Sequence, residues 1–414
     1  MSLMSRNKYT NFISFNHTKG HVHMGCILKL PTKYSKGVLS LTTAEQGAIA
    51  DNPGYLALYN KVRQKYVTCL HYNHFHMKPR LDFDIHLAGS TDLHHSVVGK
   101  VRTINLTACS FVNECFYPNP KSEKHWDILC IARAVDYKGT PDFFDAMKTC
   151  YANGLNARVL MLTPVQNDEA EQIKREFNSR ITNEQQKYFN LLLLRERFPF
   201  FFDRETLAFF YRSSKILVQA SPAEVRGRAA TYAWSSGIPV VAKINIAEGL
   251  PQEFRKPPYF YEVDKQHSFA DRITQAIRSA SESSGFEDQD LIDHFSSRKS
   301  KPILETELKK YFAELGMTWE GRVNFHELDI RLARHHGFGN NENLLNQTIG
   351  SFMDACLSIE QDRAPQYLDC LDPEQNMLRA INTDTLNCNQ SLNAKPWQKL
   401  KSSMYNITKS MGLT

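Results

Sequence analysis

Apolar residues first come in short runs of the length that buried strands take. They occupy Phe12 to Phe15, Val38 to Leu41, Tyr66 to Leu70 and Ile85 to Ala88. Between the second and third lies a helical stretch, Thr43 to Gln64, interrupted near Pro53. Strand, helix, strand predicts an α/β layer with a parallel sheet. The alternation is clearer further on. Strands are expected at 127–131, 157–162, 189–194, 216–219 and 239–242, with helices at 141–153, 168–180, 204–213 and 227–235. Five strands joined by short crossovers describe a doubly wound, Rossmann-like domain. Helical segments follow at 268–282 and 303–315, and from Phe325 the chain is polar, without strand runs. Tyr117 to His125 is polar and carries Pro118 and Pro120, which marks a linker. The expected organisation is an N-terminal Rossmann-like domain over 1–118, a linker over 119–125, a C-terminal Rossmann-like domain over 126–322 and a helical extension over 323–414. No repeat of fixed period and no low-complexity tract interrupts it.

Composition changes this picture little. The 414 residues carry 50 basic and 44 acidic side chains, a net charge of +6, with 42% hydrophobic and 23% charged residues. That balance belongs to a globular chain and excludes a disordered one. Nine cysteines, odd in number, without a CxxC pair and set mostly among apolar residues, predict reduced thiols and a reducing, cytoplasmic compartment. No window reaches the roughly 18 to 20 apolar residues of a membrane span, and no apolar signal core opens the chain. Lys395, Lys399, Lys401 and Lys409, with no acid among them, favour either solvent or an anionic surface such as a membrane periphery.

Two stretches carry chemistry. Strand 128–131 delivers Arg133 and Lys138, five positions apart, at its C-terminal end, the edge where open α/β sheets bind ligands. Two fixed cations suit a diphosphate, which gains charge as it leaves; the alternative is an exposed loop with incidental cations. In the second stretch a strand runs through Ser221 and Glu224 to a helix start near Gly227, then to Gly237-Ile-Pro-Val-Val. Free N–H groups at such a start favour phosphate, and Glu224 can accept from sugar hydroxyls; the alternative is a carboxylate settled on a helix dipole.

In this order, roughly 90 residues apart, the two stretches resemble the C-terminal half of retaining GT-B glycosyltransferases of the large family-four type, also called glycosyl transferases group 1. The resemblance implies a GT-B fold of two Rossmann-like domains facing a cleft, and transfer of a sugar from a nucleotide donor, UDP- or GDP-linked, to a glycan, lipid or other acceptor without metal or further cofactor. Arg133 and Lys138 match the family's R-x4-K pair on the donor diphosphate, and Glu224 opens its E-x7-E signature, with Arg226 and Gly227 inside it. The signature's closing glutamate, which in the family holds the donor ribose, is here Tyr232, which cannot offer a bidentate acceptor. More weakly, Val67 to His71 resembles the strand that ends in a histidine near the donor sugar, so His71 and Glu224 are the implied catalytic pair. Arg195, in Arg195 to Phe202, follows the strand after which the family reads the donor base. The glycine-rich loop that opens most members is not clear.

Two further patterns are weighed against this. Cys69-x-His71-x-x-His74-x-His76 matches none of the usual closed zinc spacings, and Asp82-x-Asp84 precedes an apolar strand, where a structural role is expected. A non-catalytic protein of the same fold is the rival expectation, motivated by Tyr232. A nucleic-acid-modifying transferase is a third, resting on the basic tail without a recognised nucleic-acid motif.

Overall fold

The computed structural model describes residues 25–71, 79–88, 101–132, 138–165, 169–195, 204–222, 227–247, 249–282, 286, 288–325, 328, 332 and 349–359. The first sheet comprises β1 (Cys26–Lys29), β2 (Gly37–Thr42), β3 (Tyr66–His71), β4 (Ile85–Leu87) and β5 (Arg102–Ile104), in that spatial order. β1 is antiparallel to β2, and the remaining pairs are parallel. Between β2 and β3 run α1 (Thr43–Asp51) and α2 (Pro53–Lys65). A capping box starts α1: Glu45 N–H donates to Thr42 Oγ1 (3.3 Å) and Thr42 N–H to Glu45 Oε2 (2.8 Å). Asn52 then caps α2 through Oδ1, which accepts from Gly54 N–H (2.9 Å) and Tyr55 N–H (3.2 Å), with Pro53 at the first helical position. The break falls at Asn52–Pro53, where the sequence predicts an interruption near Pro53. β1 and β5 were not legible in the sequence; β5 is three residues long and partly exposed, so it makes no apolar run. The strand expected at 12–15 lies outside the described residues.

The second sheet comprises β6 (Trp126–Ile131), β7 (Val159–Val165), β8 (Phe189–Arg195), β9 (Ser214–Gln219), β10 (Val240–Ala242) and β11 (Phe260–Glu262). Its helices are α3 (Thr140–Ala152), α4 (Glu169–Arg180), α5 (Asn183–Gln186), α6 (Arg204–Arg212), α7 (Arg228–Ser235) and α8 (Phe269–Glu282). The strands are all parallel, in the order β11-β10-β9-β6-β7-β8. This is the doubly wound order, with its reversal between β6 and β9. The strands read as continuous apolar runs because both faces are covered. Ile128, Cys130, Met161, Ile216 and Val218 pack with Phe143, Phe144 and Ile273 on one face. Leu129, Leu160 and Leu217 pack with Trp234 and Phe260 on the other.

The chain then returns to the first sheet through α9 (Gln289–His294) and α10 (Ser297–Glu314), ending its described part in α11 (Ile349–Ser358). At the crossing, Val112 N–H donates to Phe295 O (2.9 Å) and Ser297 N–H to Val112 O (3.2 Å). Leu304, Leu308 and Phe312, four residues apart on α10, share a cluster with Leu28, Val38, Cys69, Ile85 and Leu87. Phe352, Met353 and Cys356 of α11 pack with Tyr59, Val62, Tyr66 and Leu70. Among the described residues, α10 and α11 thus pack on the N-terminal sheet although they follow the second sheet in the chain. The N-terminal sheet's own two helices share one face with α11, and α10 covers the other. Among the described residues, no helix is long and apolar enough to cross a membrane. The described cysteines are free thiols, and all but Cys115 are buried.

Candidate functional site

Ligands of doubly wound sheets bind beyond the carboxyl ends of the strands at the reversal of strand order. Here that point lies between β6 and β9, so the segments following these strands flank it. After β6 the chain reaches Lys138, half-buried, and Gly139, the N-cap of α3. Gly139 has φ 69°, and a Cβ there would lie 2.1 Å from Ala220 O. Only glycine lets the start of α3 press against the end of β9 in this way. After β9 come buried Ser221 and, at the start of α7, buried Gly227 as N-cap. A Cβ on Gly227 would stand 3.0 Å from Gln219 Oε1 and 3.2 Å from Ile246 Cγ2, so this glycine too is a contact point.

Both helices at the switch point therefore begin at glycines, and neither is capped by a side chain. Their first-turn N–H groups and dipoles create positive potential at one place, and Lys138 and Arg228 add full charges beside them. Gln219, 7% exposed, leaves Oε1 without a hydrogen-bond partner among the described residues, as Thr163 Oγ1 on β7 does. Such groups mark a site that a polar ligand completes.

His71 comes from the other sheet. It ends β3, is 2% exposed, and neither ring nitrogen has a partner among the described residues. Burial, and secondarily the Arg228 charge, pushes its pKa down to about 4. That coupling places His71, at the carboxyl end of β3, within electrostatic reach of Arg228 in the first turn of α7. A neutral imidazole can accept at one nitrogen and donate at the other.

Of the residues singled out from sequence, Lys138 and Gly227 lie beside the reversal of strand order and His71 ends β3. Arg133, Glu224 and Arg226 lie outside the described residues. Arg195 closes β8 in register with Val165. Tyr232 sits on the fifth residue of α7, with its ring stacked on Phe116 (4.1 Å between centroids, 13° between planes) and edge-on to Tyr211 (5.9 Å, 89°). The ring belongs to the apolar cluster on that face of the sheet. Sequence reasoning missed Gln219, Thr163 and Arg228. The first two carried a usable signal, a polar residue near the carboxyl end of an otherwise apolar strand.

The Asp82-x-Asp84 pair is tied elsewhere. Asp84 Oδ2 accepts from Thr68 N–H (2.7 Å) and Thr68 Oγ1 (2.9 Å), and Arg63 approaches Asp82 and Asp84 at 4.0 and 3.9 Å. Asp84 immediately precedes β4 and lies beside Thr68, three residues before His71 on β3. Among the described residues no group of three or more His, Cys, Asp or Glu side chains is placed to hold a metal ion. His74 and His76 lie outside the described residues.

No family profile and no curated protein matches the chain. Among solved structures, the catalytic domain of starch synthase IV from Arabidopsis thaliana, bound to ADP and acarbose, is similar at 13% identity and TM-score 0.43, over 67% of this chain and 73% of that one. Sucrose-phosphate synthase from Thermosynechococcus elongatus is similar at 14% identity and TM-score 0.41, over 64% and 71%. AviGT4, a glycosyltransferase of avilamycin A biosynthesis, is similar at 15% identity and TM-score 0.39, over 62% and 70%.

Proposed function

We propose that the chain is a glycosyltransferase that takes a sugar from a nucleotide-linked donor, UDP- or GDP-bound, and passes it to a glycan or lipid-linked acceptor, with retention and without a metal. The observation that carries this reading is the convergence of two glycine-started helices, Lys138 and Arg228 at the reversal of strand order, opposite a buried, neutral His71. In this reading the donor diphosphate lies against the N-termini of α3 and α7, held by Lys138 and by Arg133 in the loop before it. Arg226 adds charge at the start of α7, and Arg195 stands where the donor base is read. Glu224 orients the sugar hydroxyls, and His71 meets the sugar from the acceptor domain. The bond from the sugar's anomeric carbon to the phosphate oxygen breaks and a bond to the acceptor oxygen forms on the same face. The acceptor's proton passes to the leaving phosphate, whose charge the cations stabilise. The free, buried thiols support a reducing, cytoplasmic setting.

One observation favours a second reading. Tyr232 replaces the glutamate of the resembled signature, and its ring is committed to Phe116 and Tyr211. A nucleotide-binding protein that does not turn over would have the same phosphate site and a weaker hold on ribose. Calorimetric titration with UDP, GDP, ADP and CMP, repeated on Lys138→Ala, tests the site. One nucleotide diphosphate should bind selectively, and the variant should lose about ten- to a hundredfold, the loss of one charge-assisted contact. Absence of binding by all four, or an unchanged Lys138→Ala, overturns the phosphate assignment. Hydrolysis or transfer from the matching sugar nucleotide then separates the two readings, and turnover that survives EDTA supports metal independence.

A further inference from the structure

At the opposite end of the first sheet, a cavity of about 620 Å³ opens between the β1–β2 turn, the last turn of α2 and the end of α11. Its walls precede the first residues of β2 and β3, whereas His71 is the last residue of β3. It is therefore separated from the candidate active site by the full length of a strand. Four lysines line it, Lys33, Lys36, Lys61 and Lys65, and no carboxylate does so among the described residues. Like charges gathered in one concavity repel, and an anion relieves that repulsion.

The four ammonium groups are held differently. Lys65 Nζ donates to Leu357 O (2.8 Å) and Ile359 O (2.6 Å), and Lys36 Nζ donates to Arg63 O (2.9 Å). These bonds fix two charges in the wall, and an ammonium has three N–H donors, so each keeps at least one beyond them. Lys33 and Lys61 are exposed. Lys33 Nζ lies 5.3 Å from the centre of the Tyr34 ring, which is 65% exposed. The cavity thus combines two anchored cations, two adjustable ones and an uncovered aromatic ring. Its volume is that of a small-molecule site. Phosphate suits the ammonium groups, and the apolar side of a sugar or polyol ring suits the face of a tyrosine. Glu320 marks its rim, accepting from Thr32 Oγ1 at 2.5 Å, and would disfavour an anion bound on that side.

We propose that this cavity is a second ligand site, for a phosphorylated sugar or polyol, with the phosphate among Lys33, Lys36, Lys61 and Lys65 and the ring on Tyr34. The site stands independently of glycosyl transfer at the other end of the sheet. Phosphorylated polyols reach a protein either free or as a lipid headgroup, and the two sources are separable. Binding of glucose 6-phosphate is measured by calorimetry, and binding to phosphatidylcholine vesicles with and without phosphatidylinositol by flotation. Wild type, Lys33→Glu/Lys61→Glu, Tyr34→Ala and Lys138→Ala are compared as full chains, and unchanged melting curves establish that these substitutions leave the fold intact. The double charge reversal is expected to weaken binding by at least about tenfold and Tyr34→Ala by a smaller factor, while Lys138→Ala retains it. Binding of glucose 6-phosphate with this pattern assigns a soluble ligand, and phosphatidylinositol-dependent flotation with this pattern assigns a headgroup. Failure of both probes to bind overturns the proposal. So does binding that ignores Lys33 and Lys61, or that disappears only in Lys138→Ala.

Discussion

At the scale of single residues, His71 and Tyr232 make separable predictions. His71 is buried and neutral, with its pKa near 4 against an ordinary 6.5. Between those values the unfolded chain takes up a proton that the folded chain refuses, so stability is complete above pH 6.5 and falls as pH drops toward 4. A pKa held near 4 rather than 6.5 corresponds to roughly 3 kcal/mol. Urea unfolding at pH 7 and pH 4.5 should show wild type losing more stability than His71→Asn by an amount of that order. Equal losses would mean that this imidazole is protonated in the folded protein. Tyr232 is judged by its ring. Stacked on Phe116 and edge-on to Tyr211, the ring does work that phenylalanine can repeat, so Tyr232→Phe should keep both melting temperature and nucleotide affinity. Tyr232→Glu would place a carboxylate against that cluster and should cost several kcal/mol. A Phe variant that melts normally but loses roughly 0.5 to 1.5 kcal/mol of nucleotide affinity would instead give the hydroxyl a ligand.

At the scale of elements, the candidate site depends on how closely helix starts approach strand ends. Gly139 and Gly154 both have positive φ, 69° and 83°, but a Cβ at Gly139 would lie 2.1 Å from Ala220 O, whereas one at Gly154 meets nothing within 4 Å. Gly154→Ala should therefore cost only the left-handed backbone term, about 1 to 2 kcal/mol. Gly139→Ala carries that term and also forces α3 away from β9, so it should destabilise more and weaken nucleotide binding as well. Thermal melts and calorimetry on the two variants check this, and equal effects would show that the helix start can shift without cost. The same elements show what a sequence makes legible. Every strand from β6 to β10 was readable because each carries a run of apolar residues, and Lys138-Gly139 and Gly227 were readable because the chain must turn there from strand to helix. β5 and β11, three residues each, carry too few apolar positions to stand out. Arg228 was missed because an arginine in the first turn of a helix is locally unremarkable, and only the fold sets it opposite His71. The packing of Tyr232 was equally hidden, because Phe116 and Tyr211 approach it through the folding of two other segments.

For the whole molecule, the N-terminal sheet is completed by chain that follows the second sheet. Covering it with α10 and α11 makes its folding depend on contacts nearly the length of the described chain apart. The Lys65 bonds to Leu357 O and Ile359 O and the Tyr66 hydroxyl's bond to Cys356 O (2.9 Å) all span about 290 residues. Contacts of such separation form late, because closure entropy must be met before they contribute. The second sheet draws its core from residues within one continuous stretch and does not share this dependence. Leu308 tests the asymmetry. It is fully buried on α10 among Leu28, Val38, Ile85 and Leu87. Leu308→Ala should cost about 2 to 5 kcal/mol through lost burial and the cavity left behind. The loss should fall on one unit: hydrogen exchange should show reduced protection along β2 and β3, with β6, β7 and β9 protected as in wild type. Met147, fully buried on α3 in the second unit's core, supplies the reciprocal case, since Met147→Ala should expose β6 and β7 and spare β2 and β3. If both variants loosened both sheets alike, the molecule would unfold as one cooperative body, and the crossing at Val112 and Ser297 would be a rigid joint between the two halves.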